Sequence, residues 1–424
     1  MSVSASKLGP VGRPPTRMVR SNAGEPRLSM VEFLPRPRVV FGVGSLARLG
    51  ALVREYGGNR VLLVTDPGIV RAGHAARAES VMKTAGVEVS IFDQVAENPT
   101  TQVADDCAAV ARLERIDFLV GLGGGSSMDT AKGCNFLLSG GGRMEDYWGA
   151  GKATHPMRPM IAVPTTAGTG SECQSFALIS KAETHVKMAC GDPKAIPVVA
   201  ILDPSLTVTQ PRAVTAATGI DALAHAIESA VTARRNPFSQ MFSREAFRLC
   251  AGGLRQVLSQ PNDLEARGQM LLGAALAGMA IENSMLGAAH AAANPLSARY
   301  GVVHGQAVGL MLPAVVRFNA ADAEARSIYQ RLAEDAGLVG PADDPARAVA
   351  ALVEFIEDYL DLAELPCALD RFGVREADLK TLSDEAAQQW TAGFNPRAVS
   401  PADFLGLYQS VLHNGSLLQS RGRR

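Results

Sequence analysis

From Arg38 onward the chain alternates between short apolar runs and stretches with helical spacing. Val39-Val40-Phe41 reads as a short strand ending in Gly42 and Gly44, and Ala47 to Tyr56 as a helix. Val61 to Val64 reads as a buried strand closed by Thr65-Asp66-Pro67-Gly68. Val87 to Phe92 and Phe118 to Leu122 repeat the theme around a helical segment from Val103 to Leu113, and Met160 to Val163 and Val198 to Leu202 supply further strands. Strands that alternate with helices predict a parallel sheet with covered faces. After Asp203-Pro204 the texture changes: from Ala213 on, long Ala- and Leu-rich helical patterns are broken at Pro237, Pro261, Pro295, Pro313 and Pro341, with hardly a strand candidate among them. The pattern predicts an α/β half over residues 31–210 followed by an all-helical half over 211–424, with a ligand cleft between them.

Composition narrows the partners. Among 424 residues, 41 basic side chains face 42 acidic ones, and aromatic residues make up 5%. Neither a basic footprint nor a stacking platform for nucleic acid is present, so no nucleic-acid partner is expected. Six scattered cysteines without CxxC spacing indicate free buried thiols in a reducing, cytoplasmic setting rather than a disulfide framework. The most apolar stretch, Met270 to Ile281, stops at Glu282, short of the roughly 20 residues a membrane span needs, and reads as a buried helix. Residues 1–30 carry five basic side chains against Glu25 alone, with four prolines and no apolar core. That is a flexible basic tail, or alternatively an organellar import segment, and not a secretory signal.

Candidate chemistry begins at Phe118-Leu-Val-Gly-Leu-Gly-Gly-Gly-Ser-Ser-Met-Asp-Thr-Ala-Lys132, a strand, a glycine turn and a helix opening near Ser127. Adjacent glycines let backbone N–H groups approach an anion, and the helix adds its positive end, so the turn reads as a pyrophosphate cradle or as a plain tight connection. It is neither the standard dinucleotide fingerprint nor a Walker loop. Asp66 stands at the end of a strand, where a carboxylate can bind ribose hydroxyls and repel a 2′-phosphate, favouring NAD over NADP; it can equally cap a helix opening at Pro67. Pro164-Thr-Thr-Ala-Gly-Thr-Gly-Ser-Glu172 offers short hydroxyl donors and little bulk behind a strand.

Of seven histidines, His74, His155, His185 and His413 lie in loop-like or polar contexts and default to surface or satisfied roles. His225, His290 and His304 sit in apolar or glycine-rich helical surroundings. Asp221 and His225 are four apart, so on a helix they share one face and can reach one ion, or simply hydrogen-bond each other. His290 is expected near the end of the apolar helix, which must stop before Pro295, and His304 opens the next segment. Three imidazoles and a carboxylate, without thiolate, suit Fe²⁺ or Zn²⁺ and leave a position open for substrate.

Gly123-Gly-Gly-Ser-Ser-Met-Asp129, Pro164 to Glu172, Asp221-Ala-Leu-Ala-His225 and the two later histidine segments, in this order, resemble the iron-containing alcohol dehydrogenase family. The resemblance runs from about Arg38 to about Asn319, and more loosely beyond. It implies an N-terminal α/β NAD-binding domain and an all-α metal-binding domain, a fold shared with dehydroquinate synthase. It further implies that Asp221, His225, His290 and His304 hold Fe²⁺ (or Zn²⁺), that Gly124, Gly125 and Ser126 form the pyrophosphate turn, and that Thr165, Thr166 and Thr169 hold NAD. By the same resemblance Asp66 reads the ribose, and Asn98, Lys187 and Leu206 make further cofactor contacts. One departure matters: where relatives commonly carry a histidine one turn after the third ligand, this chain has Asn294, whose amide can position substrate or water but cannot titrate. The activity implied is hydride transfer between a small alcohol and NAD in a cytoplasmic homo-oligomer. A transhydrogenase that retains its NAD, and a dehydroquinate synthase-like lyase, are the rivals; net NADH formation separates the lyase from the dehydrogenase.

Overall fold

A computed structural model describes residues 31–184 and 186–413. The basic tail expected over residues 1–30 and His185 lie outside the described residues. From Leu34 onward the chain forms one compact unit.

The first half follows the order β1 (Arg38–Phe41), α1 (Leu49–Glu55), β2 (Arg60–Val64), α2 (Pro67–Arg71), α3 (His74–Thr84), β3 (Glu88–Phe92), α4 (Thr101–Leu113), β4 (Phe118–Gly123), α5 (Gly125–Gly140). It continues through β5 (Gly149–Ala150), β6 (Met160–Pro164), β7 (Phe176–Ser180), β8 (Lys187–Gly191) and β9 (Val199–Leu202). Six strands form one parallel sheet in the order β1-β9-β6-β4-β2-β3. Both faces are covered, which is why the strands read as continuous apolar runs: Val61 and Leu63 of β2 join one core, while Leu62 and Val64 join the other. The chain order reverses between β2 and β4, and at such a switch point the carboxyl ends of the strands open a crevice.

A smaller sheet of β5, β8 and β7 was not anticipated from the sequence. Its β7–β8 hairpin pairs Phe176 with Gly191 and Ser180 with Lys187. Its inner positions are filled by Ala177, Ile179, Met188 and Cys190, of which only Ile179 is a strong strand former.

The second half is helical: α6 (Arg212–Val231), α7 (Pro237–Ser259), α8 (Leu264–Asn283), α9 (Ala288–Tyr300), α10 (His304–Asn319), α11 (Ala323–Asp335), α12 (Pro345–Leu362), α13 (Leu379–Ala387) and α14 (Pro401–Leu412). Among the described residues no single helix is long and apolar enough to cross a membrane; α8 and α9 meet that test only as a pair, bent by 105°. Two helix boundaries differ from expectation. The apolar helix α8 ends at Asn283, and His290 stands in the first turn of a separate helix, α9, which runs through Pro295 to Tyr300. Pro313 likewise lies inside α10. Both prolines are buried; the Pro295 ring takes the usual donor from the Ala291 carbonyl, and the next carbonyl, Ala292, accepts from Tyr408 Oη at 2.7 Å, a tertiary bond that ties this part of the helix to α14.

Candidate metal and nucleotide site

Asp221 and His225 lie one turn apart on α6, and both are buried. His290 is placed from outside its own helix. The opening N–H groups of α9 have no cap from Gly287; instead Glu228 Oε1 accepts from Ala289 N at 2.7 Å and Asn395 Oδ1 from Ala288 N at 3.2 Å. His304 is the first residue of α10, and Gly305 behind it lets that helix approach α6, since a Cβ there would fall 2.1 Å from the Ala217 carbonyl oxygen. The middle of α6 and the first turns of α9 and α10 bring the four side chains together. Asp221 Oδ1 lies 3.5 Å from His225 Nε2, 3.4 Å from His290 Nε2 and 3.9 Å from His304 Nε2.

Those spacings match the edges of a coordination shell: donors about 2.1 Å from a tetrahedral ion lie about 3.4 Å apart. Asp221 Oδ1 and His290 Nε2 are buried and have no hydrogen-bond partner among the described residues, a cost that a bound cation would remove. Ligand atoms of Asp221, His290 and His304 all fall within 4.8 Å of one another, and His225 joins them through Asp221. The residues therefore fit a divalent metal.

Two further contacts orient the imidazoles. His225 Nδ1 faces the Gly168 carbonyl oxygen at 3.2 Å, and His290 Nδ1 makes a short contact with Glu228 Oε2. A proton held on Nδ1 by an oxygen leaves the Nε2 lone pair for a metal. Burial opposes charge on His290, but the Glu228 and Asp221 carboxylates outweigh it and push its pKa up to about 9. Burial alone would raise Asp221, yet the surrounding histidines hold it below the ordinary carboxylate range. Glu228 was not singled out from the sequence. The available signal was a carboxylate three residues after His225 in an otherwise apolar helix.

The expected nucleotide residues come to the carboxyl edge of the large sheet: Asp66 follows β2, Asn98 follows β3, Gly124 to Ser126 follow β4, Thr165 to Thr169 follow β6, and Leu206 follows β9. Helix α5 opens at Gly125, two residues before the expected start, with Gly124 as an N-cap lacking a side-chain bond, so its free N–H end points into the crevice. A Cβ on Gly125 would lie 2.8 Å from Thr169 Cγ2 and one on Gly123 2.4 Å from Ser127 Oγ, so neither of these two positions has room for a side chain. Both readings of Asp66 are compatible: Oδ1 caps α2 through Gly68 N and Ile69 N at 2.8 and 3.1 Å, while Oδ2 faces Ser127 Oγ at 3.4 Å beside the turn. Lys187, on β8, donates to Asn98 Oδ1 at 3.2 Å. Leu206 is fully buried, and its N–H donates to the Asp203 carbonyl at 3.0 Å.

Asn294 projects one turn after His290 and donates through Nδ2 to Gln389 Oε1 at 3.0 Å. Beside Gln389, Trp390 packs on Phe176 with ring centroids 5.3 Å apart. The remaining described histidines are elsewhere. His155 and His413 are exposed, but His74 is buried, with Nε2 2.8 Å from Thr209 Oγ1 and Nδ1 without a hydrogen-bond partner among the described residues, a setting less polar than its sequence context suggested.

Residues 35–204 match the family model described as iron-containing alcohol dehydrogenase, and residues 215–412 match the C-terminal model of the Fe-containing alcohol dehydrogenase family. The 1,3-propanediol dehydrogenase of Klebsiella pneumoniae is 34% identical over 90% of this chain and 99% of its own. The NAD-dependent methanol dehydrogenase of Bacillus methanolicus is 32% identical over 90% of this chain and all of its own. Among solved structures, a 1,3-propanediol oxidoreductase superposes with a TM-score of 0.87 at 33% identity, covering 91% of this chain and 100% of its own. The sulfoacetaldehyde reductase of Bifidobacterium kashiwanohense, in complex with NAD⁺, gives 0.81 at 26% identity over 91% of this chain and 100% of its own. The two family models between them match nearly the whole of the described chain, and the chain belongs to the iron-containing alcohol dehydrogenase family.

Proposed function

We infer that the protein catalyses reversible oxidation of a small alcohol to its aldehyde or ketone, with release of a proton and transfer of a hydride to NAD⁺. The observation that carries this reading is the Asp221 carboxylate encircled by three imidazole nitrogens at 3.4–3.9 Å. In the proposed arrangement residues 31–210 hold NAD, and residues 211–424 hold the metal and the substrate. Asp221, His225, His290 and His304 bind the metal, with iron the ion of choice from the family and Zn²⁺ an acceptable substitute for the same donors. When bound, the metal supplies Lewis acidity to the alcohol oxygen and NAD⁺ accepts the hydride.

The chain's own residues do the rest. Glu228 and the Gly168 carbonyl hold two imidazoles in the tautomer that offers Nε2. The Gly124–Ser126 turn anchors the pyrophosphate, Thr165, Thr166 and Thr169 line the nucleotide, Asp66 selects the unphosphorylated ribose, and Asn98, Lys187 and Leu206 complete its seat. Asn294 positions substrate or water, since its amide cannot take a proton at neutral pH. An open sheet edge at β1, with Phe41 and Val43 exposed, supports a homo-oligomer. Six free cysteines, five of them buried, support a cytoplasmic setting, and the balanced charge supports small molecules rather than nucleic acid as partners.

The test is NADH formation from a panel of alcohols by protein reconstituted in parallel with Fe²⁺ and Zn²⁺. His225→Ala and His290→Ala are expected to lose metal retention by elemental analysis and turnover with it. Full activity in a metal-free variant would refute the reading.

A further inference from the structure

We propose that Lys132 is a positioning residue that braces the loop Pro164 to Glu172, so that cofactor and metal bind cooperatively through that loop. The proposal rests on the assignment of NAD and a metal to the two sites above.

Lys132, on α5, is wholly buried, and the hydride-transfer reading gives it no task. Its ammonium has three N–H donors and three acceptors: Ser171 O at 2.6 Å, Ser171 Oγ at 2.8 Å and Phe176 O at 3.0 Å. Ser171 Oγ in turn donates to Asp129 Oδ1 at 2.8 Å, one turn earlier on α5. The hydroxyl thus relays between the two buried charges. Close by, Glu282 at the end of α8 accepts from Ser175 N and Oγ, each at 2.9 Å. Burying an ammonium is costly unless every donor is matched, so this cluster specifies one position for the loop's C-terminal end.

The rest of the loop is held between both sites. Thr169 touches the glycine turn, where a Gly125 Cβ would meet its Cγ2 at 2.8 Å. One residue earlier, Gly168 offers its carbonyl oxygen to His225 Nδ1 at 3.2 Å. A Cβ on Gly168 would fall 2.5 Å from Thr218 Cβ on α6, and one on Gly170 would fall 2.6 Å from Gly278 Cα on α8, so the loop lies directly against the helical half. A loop fixed at its base by Lys132 cannot adjust Thr169 to a nucleotide without moving the Gly168 carbonyl. Seating the cofactor therefore holds His225 ready for the metal, and by linkage the metal must favour the cofactor by the same factor.

The experiment is titration of metal-stripped, full-length protein with Co²⁺, with and without saturating NAD⁺, and the reverse titration with NAD⁺. For the wild type, each ligand is expected to tighten the other about fivefold or more. In Asp129→Asn/Lys132→Met, which removes both charges and leaves neither unpaired, both ligands should still bind but the coupling should fall to within about twofold. Ser171→Ala, which keeps the carbonyl contact and deletes the relay, should lose part of the coupling and serves as the test where the double variant does not fold. Independent binding of the two ligands to the wild type, or undiminished coupling in the variants, would overturn the brace. Failure of the wild type to bind either ligand would instead overturn the assignment of the sites, and the brace with it.

Discussion

At the scale of single residues, the carboxylates around the metal site differ in their work. Glu228 contacts His290 Nδ1 and caps α9 through Ala289 N, so in the proposed metal site it would orient one ligand. Glu228→Gln keeps an oxygen for the cap and loses the charge, so metal affinity is expected to fall by about 10- to 100-fold with little loss of fold, measured by competition with a chelator and by melting. Glu172 is a different case, because burial pushes its carboxyl from an ordinary 4.5 up to about 7. Between those values the unfolded chain gives up a proton that the folded protein keeps, so stability falls as pH rises through that window and levels off above it. Glu172→Gln should flatten this slope, worth of the order of 3 kcal/mol at most, as read from urea midpoints at about pH 5 and about pH 8.

At the scale of elements, Asp66 caps α2 and is also the residue proposed to select NAD over NADP. Asp66→Ser retains a capping oxygen for α2 and removes the negative charge, so stability should hold while the preference for NAD over NADP drops by about tenfold in kcat/KM. The large sheet was legible because Val61 to Val64, Phe118 to Leu122 and Met160 to Val163 are uninterrupted apolar runs, as strands buried on both faces must be. The Asp221–His225 pair and the glycine turn were legible because helical spacing and steric economy leave local marks. The β7–β8 hairpin left a weaker one, since three of its inner side chains, Ala177, Met188 and Cys190, are not strand formers. Pro295 and Pro313 misled because helix breaking is a local rule that burial overrides. Lys132, Gly168 and Glu228 act through partners 39, 57 and 62 residues away, respectively, which no local pattern announces.

At the scale of the molecule, the two halves share a core. Ala167, Cys173, Ala200 and Leu202 from the α/β half belong to the same apolar cluster as the helices from α6 onward. Ligand-free protein is therefore expected to unfold in one transition, with near- and far-ultraviolet circular dichroism coinciding; two separated steps would mean that the halves are independent. The same sharing bears on how the enzyme can be altered. The loop from Pro164 to Glu172 resembles an exchangeable cassette in sequence, but two of its neighbours in that shared core, Ala167 within it and Cys173 just beyond it, are packed against helices of the other half. Grafting a relative's loop would carry over the wrong half of each contact. If the proposed sites hold, changes of cofactor preference are better made as point substitutions at the sheet edge, and changes of substrate range at Asn294 and Gln389; Trp390 is a poorer choice, because it packs on Phe176, whose carbonyl Lys132 holds.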